Sequence, residues 1–266
     1  MKDIQSSADF RRIDIRKVGV KTLTYPIMVL DKANRTQSTV ARINMYVNLP
    51  HQFKGTHMSR FVEILNQFHG AINLKTFRLM LEAMKERLDA EAAHLQMDFP
   101  YFVSTGEDEA PLRLQRYDCR LHGSLAENLA LQVEVDVPVA FGTPQPQHTG
   151  MLAGHWGIAT VAVRMTSFLW IEDLIALVQQ GMRQGHSPVQ SVEHLCLRIG
   201  EALESCQIFQ WYKVVVKNSA SGYSAFAVSQ WPHQSAHQSF PQIPILQGAA
   251  GTAFTLNTST PTDCDE

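Results

Sequence analysis

Apolar and polar positions alternate with a period of two over residues 41–49. Ala41, Ile43, Met45, Val47 and Leu49 are apolar, and Arg42, Asn44, Tyr46 and Asn48 lie between them. That pattern predicts a half-buried strand, one face on a core and one face wet. Val18–Leu30, rich in β-branched and aromatic residues, predicts a strand before it. Asp31-Lys32-Ala33-Asn34 supplies the turn residues of a long hairpin. The period then changes. A helix is expected from about Thr56 to Gln67, and a second carries Phe77, Met80, Leu81, Met84 and Leu88 as one apolar stripe. Ala93–Val103 returns as a strand.

The second half repeats this order. Leu112–Leu121, Leu131–Val137 and Ile158–Met165 read as strands; Leu131, Val133, Val135 and Val137 face opposite to Gln132, Glu134 and Asp136. Trp170, Leu174, Leu177 and Val178 mark a helix. Ser187-Pro188, with Gln190 after them, predicts the capped start of another, striped by Val189, Val192, Cys196, Ile199 and Leu203. Ile208–Val216 and Ser224–Val228 close as strands. Antiparallel strands with paired helices on one face is an α+β layer architecture. The expected division is an N-terminal arm (1–16), a first unit (17–105), a second unit (106–232) and a tail (233–266) poor in apolar clusters. The acidic, turn-rich run 104–111 divides the units. Open sheet edges must be paired or covered, so a symmetric oligomer is expected.

Composition narrows the class. Of 266 residues, 45% are hydrophobic and 18% charged, and the formal charge is −2, so no global field draws nucleic acid or a membrane surface. No apolar run is long enough for a membrane span, and no export signal is evident. Four cysteines without CxxC spacing fit a cytoplasmic protein with reduced thiols.

The densest chemistry lies in Lys54-Gly55-Thr56-His57-Met58-Ser59-Arg60-Phe61, which follows a strand and opens a helix. Two cations, an imidazole and two hydroxyls at a helix start suit an anion or nucleotide. The alternative is an N-cap, with Thr56 or Ser59 closing the first turn.

This octet resembles the signature of the type IB GTP cyclohydrolases. Gln5-Ser6-Ser7, Val18-Gly19-Val20-Lys21, Tyr25-Pro26-Ile27 and Gln37-Ser38-Thr39-Val40-Ala41 resemble that family's first half in the same order. Pro138-Val139 and Ala153-Gly154-His155 resemble its second half, and the similarity spans about residues 5–232. It implies two tandem tunnelling-fold (T-fold) units assembled around a channel, with active sites at subunit interfaces. It also implies a hydrolase of purine-nucleotide and pterin chemistry in folate biosynthesis.

Carried over residue by residue, the resemblance implies His155 and His57 as catalytic groups. Lys54, Thr56, His57, Ser59, Arg60 and Trp156 would bind substrate. Of the family's divalent-metal ligands only His155 persists. Its Cys-Pro-Cys reads Thr143-Pro144-Gln145, its Glu-bearing loop is absent between Met182 and Pro188, and its C-terminal Glu-Ser-Ile-His-Asn-His reads Lys217–Tyr223. A hydroxyl or an amide replaces a thiolate poorly. A rebuilt metal site would pair His148 with His155, the third donor being Cys119 or a neighbouring subunit's His57. Three readings stay open. The chain is a divergent enzyme acting on or binding a purine nucleotide or pterin, or a non-catalytic homologue that binds such a ligand or pairs with an active paralogue. The third is a metal-independent T-fold enzyme with another heterocyclic substrate.

Overall fold

The computed structural model describes residues 17–33, 35–49, 57–68, 71–105, 113–141, 155–183, 191–220 and 223–232. Strands β1 (Val18–Asp31) and β2 (Arg35–Asn48) form the expected hairpin, followed by helix α1 (Met58–Gln67), the two-residue strand β3 (Ala71–Ile72), α2 (Leu74–Arg87) and β4 (Ala92–Thr105). Then come β5 (Arg113–Leu125), β6 (Leu129–Phe141), β7 (His155–Met165), α3 (Ile171–Arg183), α4 (Val192–Ser205), β8 (Phe209–Ala220) and β9 (Tyr223–Trp231). All strands join one nine-stranded sheet of order β3-β1-β2-β4-β5-β6-β7-β8-β9. Every neighbouring pair is antiparallel except β1 with β3. The segment 106–112 lies outside the described residues, yet β4 and β5 on its two sides pair continuously from Ala93↔Leu125 to Thr105↔Arg113. The sheet therefore runs unbroken past it.

Strand alternation decides which face is covered. Ile43, Met45, Leu95, Met97, Val135, Val161, Val214 and their neighbours are buried toward the helices. The stripe on α2 (Phe77, Met80, Leu81, Met84) and that on α4 (Leu195, Cys196, Ile199, Leu203) bury against them. Close contact is possible because Gly123 on β5 has no Cβ: one placed there would lie 2.4 Å from Cε1 of Phe77. Cys119 also belongs to this covered face and is 1% exposed. Burial first, then the nearby Asp118 and Asp136 carboxylates, push its thiol well above the ordinary range. It is a core residue, which removes it as a metal donor.

Helix boundaries differ from the sequence reading at their caps. Helix α2 opens on a capping box: Asn73 Oδ1 accepts from the Thr76 N–H (2.9 Å), and Thr76 Oγ1 accepts from the Asn73 N–H (2.9 Å). The Ser187-Pro188 start expected for α4 is not its cap. The helix begins at Val192, and Ser191 Oγ accepts from the His194 N–H at 3.2 Å; Ser187 lies outside the described residues. The first turn of α3 meets the tip of the first hairpin. Glu172 Oε1 accepts from the Tyr101 hydroxyl (2.6 Å) and from the Lys32 N–H (2.7 Å), while Lys32 Nζ meets Asp173 at 2.7 Å. Acidic groups at a helix start complement its dipole, so this contact ties α3 to β1 and β4.

Candidate functional site

The other face of the sheet carries no described helix, and its side chains are largely polar. Cross-strand register sets them in rows. Arg42 lies opposite Asp98, Asp98 opposite Arg120, and Arg120 opposite Glu134. Arg120 forms the central ion-pair network. Its Nε donates to Glu134 Oε1 (2.6 Å), its Nη2 also meets Glu134, and Nη2 donates to Asp136 Oδ1 (2.8 Å), which accepts from Thr160 Oγ1 (2.7 Å) as well. Burial works against the Arg120 charge, but the two carboxylates outweigh it and hold the guanidinium further toward its charged form. Asp118, Glu134 and Asp136 are thus engaged wet-face charges rather than an acid–base pair.

Two histidines lie on this face. His122 sits between Gln96 on β4 and Gln132 on β6. Burial is the main cause that holds it toward the neutral form; Glu134 and Asp98 oppose that and Arg120 adds to it. His94 stacks on its register partner Tyr46 with ring centroids 4.6 Å apart, and Lys17 Nζ lies 3.3 Å from the Tyr46 ring centre. Burial and then Lys17 lower its pKa too. A hollow of about 360 Å³ opens beside Arg42, Asp98, Arg116 and Asp118. Its charges nearly balance, and Arg116 is paired with Asp118 at 2.7 Å. An apolar cavity on the helix side, walled by Val29, Ile72, Phe99, Leu121 and Phe168, offers nothing to a charged ligand.

The octet leaves the sheet where β2 ends, and its Lys54 and Thr56 lie outside the described residues. His57 stands at the N-cap of α1, and its carbonyl accepts from the Arg60 N–H at 3.1 Å. Among the described residues no side chain caps the helix, and Ser59 lies inside its first turn rather than at the cap; Ser59 and Arg60 are exposed there. His155 is the first residue of β7 and pairs with Phe141, while Trp156 pairs with Ala140. The side chains of His155 and Trp156, and all of Thr143, Gln145 and His148, lie outside the described residues.

Register fixes how these pieces relate. Asn48 pairs with Ala92, and the β5–β6 hairpin closes at Leu125↔Leu129 at that same end of the strands. His155 sits at the far end of the thirteen-residue β6, roughly 40 Å away at about 3.3 Å per residue. Within one chain the end of β2, after which the octet follows in sequence, and His155 lie at opposite ends of the sheet.

A family model for type I GTP cyclohydrolase FolE2 matches residues 1–192. The GTP cyclohydrolase FolE2 of Syntrophotalea carbinolica is 40% identical over 260 residues, covering 87% of this chain and 96% of that protein. That of Pelobacter propionicus is 43% identical over 230 residues, covering 85% and 87%. The chain belongs to the type I GTP cyclohydrolase FolE2 family.

The FolE2 relationship agrees with the resemblance of the octet and the Ala153-Gly154-His155 turn. Uricase from Arthrobacter globiformis has a similar fold at 10% identity, with a TM-score of 0.57 over 85% of this chain and 96% of that one. A uricase from Bacillus fastidious superposes with a TM-score of 0.56 at 8% identity, over 80% and 92%. At such identities the likeness concerns the fold alone.

The positions that the resemblance would set around a metal, Thr143, Gln145 and the side chain of His155, lie outside the described residues. Among the described residues no three His, Cys, Asp or Glu side chains gather to hold an ion. On the sequence resemblance, Thr143 and Gln145 would stand where the family has its two thiolates. Neutral oxygen donors beside one imidazole do not make a tight site for a borderline-soft divalent ion. Among the described residues no helix is long and apolar enough to cross a membrane.

Proposed function

We propose that this FolE2-family chain binds a purine nucleotide or a pterin-like ring, with its phosphates or oxygens at the Lys54–Phe61 octet. Metal-dependent opening of the GTP ring is impaired in it. The observation that carries this is the pairing of an intact octet with Thr143 and Gln145 at the two thiolate positions. One feature of α1 supports the first half: Ser59 and Arg60 are exposed on its first turn. In a member that holds the metal, the ion would lower the pKa of a water toward neutrality and so provide the nucleophile. Of this chain's own residues, His57, Ser59 and Arg60 would hold the anionic end, and His155 would orient or move a proton at the ring.

The strand that leads toward His57 ends at the opposite end of the sheet from His155, which supports a site built between two subunits. We therefore propose a homo-oligomer of tandem T-fold units with the octet of one protomer facing the β6–β7 end of another. No described strand pairs the outer edge of β9, which supports association, and so do the exposed apolar side chains Phe226 (67%) and Val228 (51%) on β9 and Ile158 (48%) on β7.

The test is incubation of metal-analysed, tag-free protein with GTP, followed by fluorescence detection of oxidised neopterin. Turnover at least a hundredfold below an active FolE2 relative, together with saturable nucleotide or pterin binding, is expected. Turnover equal to that relative overturns the impaired reading. A chain that turns over nothing yet enhances an active paralogue on mixing is the partner-subunit reading, favoured by the simultaneous replacement of the thiolate positions and the C-terminal His run.

A further inference from the structure

The sheet forks between β2 and β4. On one side β2 pairs with β1 out to Asp31↔Arg35, and on the other β4 pairs with β5 out to Thr105↔Arg113. Between β2 and β4 the register pairs run from Asn48↔Ala92 to Arg42↔Asp98 and stop there. Beyond that point side chains of β2 span the gap. Thr39 Oγ1 donates to the Pro100 carbonyl (2.8 Å), and the Gln37 amide both donates to the Phe102 carbonyl (2.8 Å) and accepts from the Phe102 N–H (2.8 Å). Pro100 has no N–H to give to a ladder, so pairing ends readily at it.

The hollow of about 360 Å³ lies in this fork. Ala41 and Phe99, whose side chains belong to the helix side, are among the residues that line it. It therefore reaches into the sheet and does not rest on surface side chains alone. Its size falls within the range of small-ligand pockets.

Charges of both signs border it. Arg42 is exposed, and its side chain makes no hydrogen bond or ion pair among the described residues, although Asp98 is its register partner. Among the described residues Asp98 Oδ1 accepts from Gln96 Nε2 (2.9 Å), which leaves Oδ2 open. Arg116 and Asp118 pair at 2.7 Å, but both stay more than half exposed, so water screens them. Arg120 is held by Glu134 and Asp136.

A lone anion in the hollow meets the repulsion of Asp98 and Asp118, and a lone cation meets that of Arg42 and Arg116. A molecule that carries both charges meets each with its complement. Its carboxylate accepts two N–H bonds from the planar Arg42 fork, and its ammonium donates to Asp98. Val40, which is 52% exposed, and Pro100 line the same space and take the carbon skeleton.

We propose that this fork binds a small zwitterion of the α-amino acid class, with its carboxylate on Arg42 and its ammonium on Asp98. The site is separate from the octet and does not rest on any reading of it.

Full-length protein is screened against the common L-amino acids, one at a time, by its thermal midpoint near neutral pH. The strongest responder is then titrated calorimetrically. Saturable binding is expected. Its N-acetyl derivative, which lacks the ammonium, and its amide derivative, which lacks the carboxylate, each bind more than tenfold more weakly. Arg42→Gln weakens binding more than tenfold and keeps the ligand-free thermal midpoint, because the Arg42 side chain bonds to no described part of the fold. Asp98→Asn weakens it several-fold. Lys217→Gln, elsewhere on the same face, leaves it unchanged. Four outcomes overturn the proposal. No amino acid gives a saturable response. The response survives both Arg42→Gln and Asp98→Asn. It is lost in Arg60→Ala but kept in Arg42→Gln, which places the ligand at the octet. Or inorganic phosphate, run alongside, binds more tightly than any amino acid and is lost in Arg42→Gln, which makes the fork a plain anion site.

Discussion

His122 shows how a single side chain reports on the face it occupies. Its polar neighbours do not fully replace water, so burial keeps it more neutral in the folded state than in the unfolded chain. The unfolded chain then binds this proton more readily. Stability from His122 is complete above about pH 6.5, declines as the pH falls below that value, and stops declining beneath the folded pKa. His122→Gln removes this slope. The thermal midpoint, followed from about pH 7.5 to about pH 5, is expected to fall less in the variant than in the parent. His94, held neutral for the same main reason, keeps part of the slope in the variant. A second residue-scale prediction concerns the octet. His57→Ala and Arg60→Ala are expected to abolish nucleotide or pterin binding, read by equilibrium titration, while size-exclusion chromatography shows the assembly unchanged. Normal binding by either variant would reduce the octet to a helix start.

At the scale of elements, the capping box of α2 is the most separable contribution. Asn73→Ala leaves the N–H of Thr76 without its acceptor and is expected to cost about 1 kcal/mol. Thermal unfolding would show a fall of about 2–4 °C, with Asn73→Asp restoring most of it. The sequence disclosed the α2 stripe and the strand alternation because burial on one face imposes a period that survives substitution. It did not disclose the cap, since Asn and Thr fill roles more often signalled by Ser or Thr followed by Glu. The opposite error occurred at α4. Ser187-Pro188 satisfies every local rule for a helix start, yet Ser191 does the capping, because local signals are degenerate and packing chooses among them. The two-residue β3 left no trace in the sequence, being too short to carry any period. The octet and His155 were legible as chemistry, but their separation across the sheet was not. Only the register of β2, β4, β5 and β6 sets it.

For the whole molecule, a site shared between subunits makes a complementation prediction. His57→Ala and His155→Ala chains, each defective alone, are co-expressed and purified as mixed assemblies. With random mixing, roughly one quarter of the sites receive both imidazoles, and ligand binding is expected to return to about that fraction. A mixture as inert as its parents would mean that the two histidines never meet. The fork between β2 and β4 was equally hidden from the sequence, because it lies between the strands and not within the pattern of either.

The sheet has four helices against one side and none described against the other, and this divides the work of neighbouring residues along every long strand. In a saturation library scored for folding, tolerance should flip at each step: Ala41, Val214 and Val216 should accept only apolar side chains of like volume, while Arg42, Lys213 and Lys217, exposed on the other face, accept broad exchange. One surface can then be rewritten for a new ligand while the adjacent positions, one residue along the backbone, go on holding the protein together.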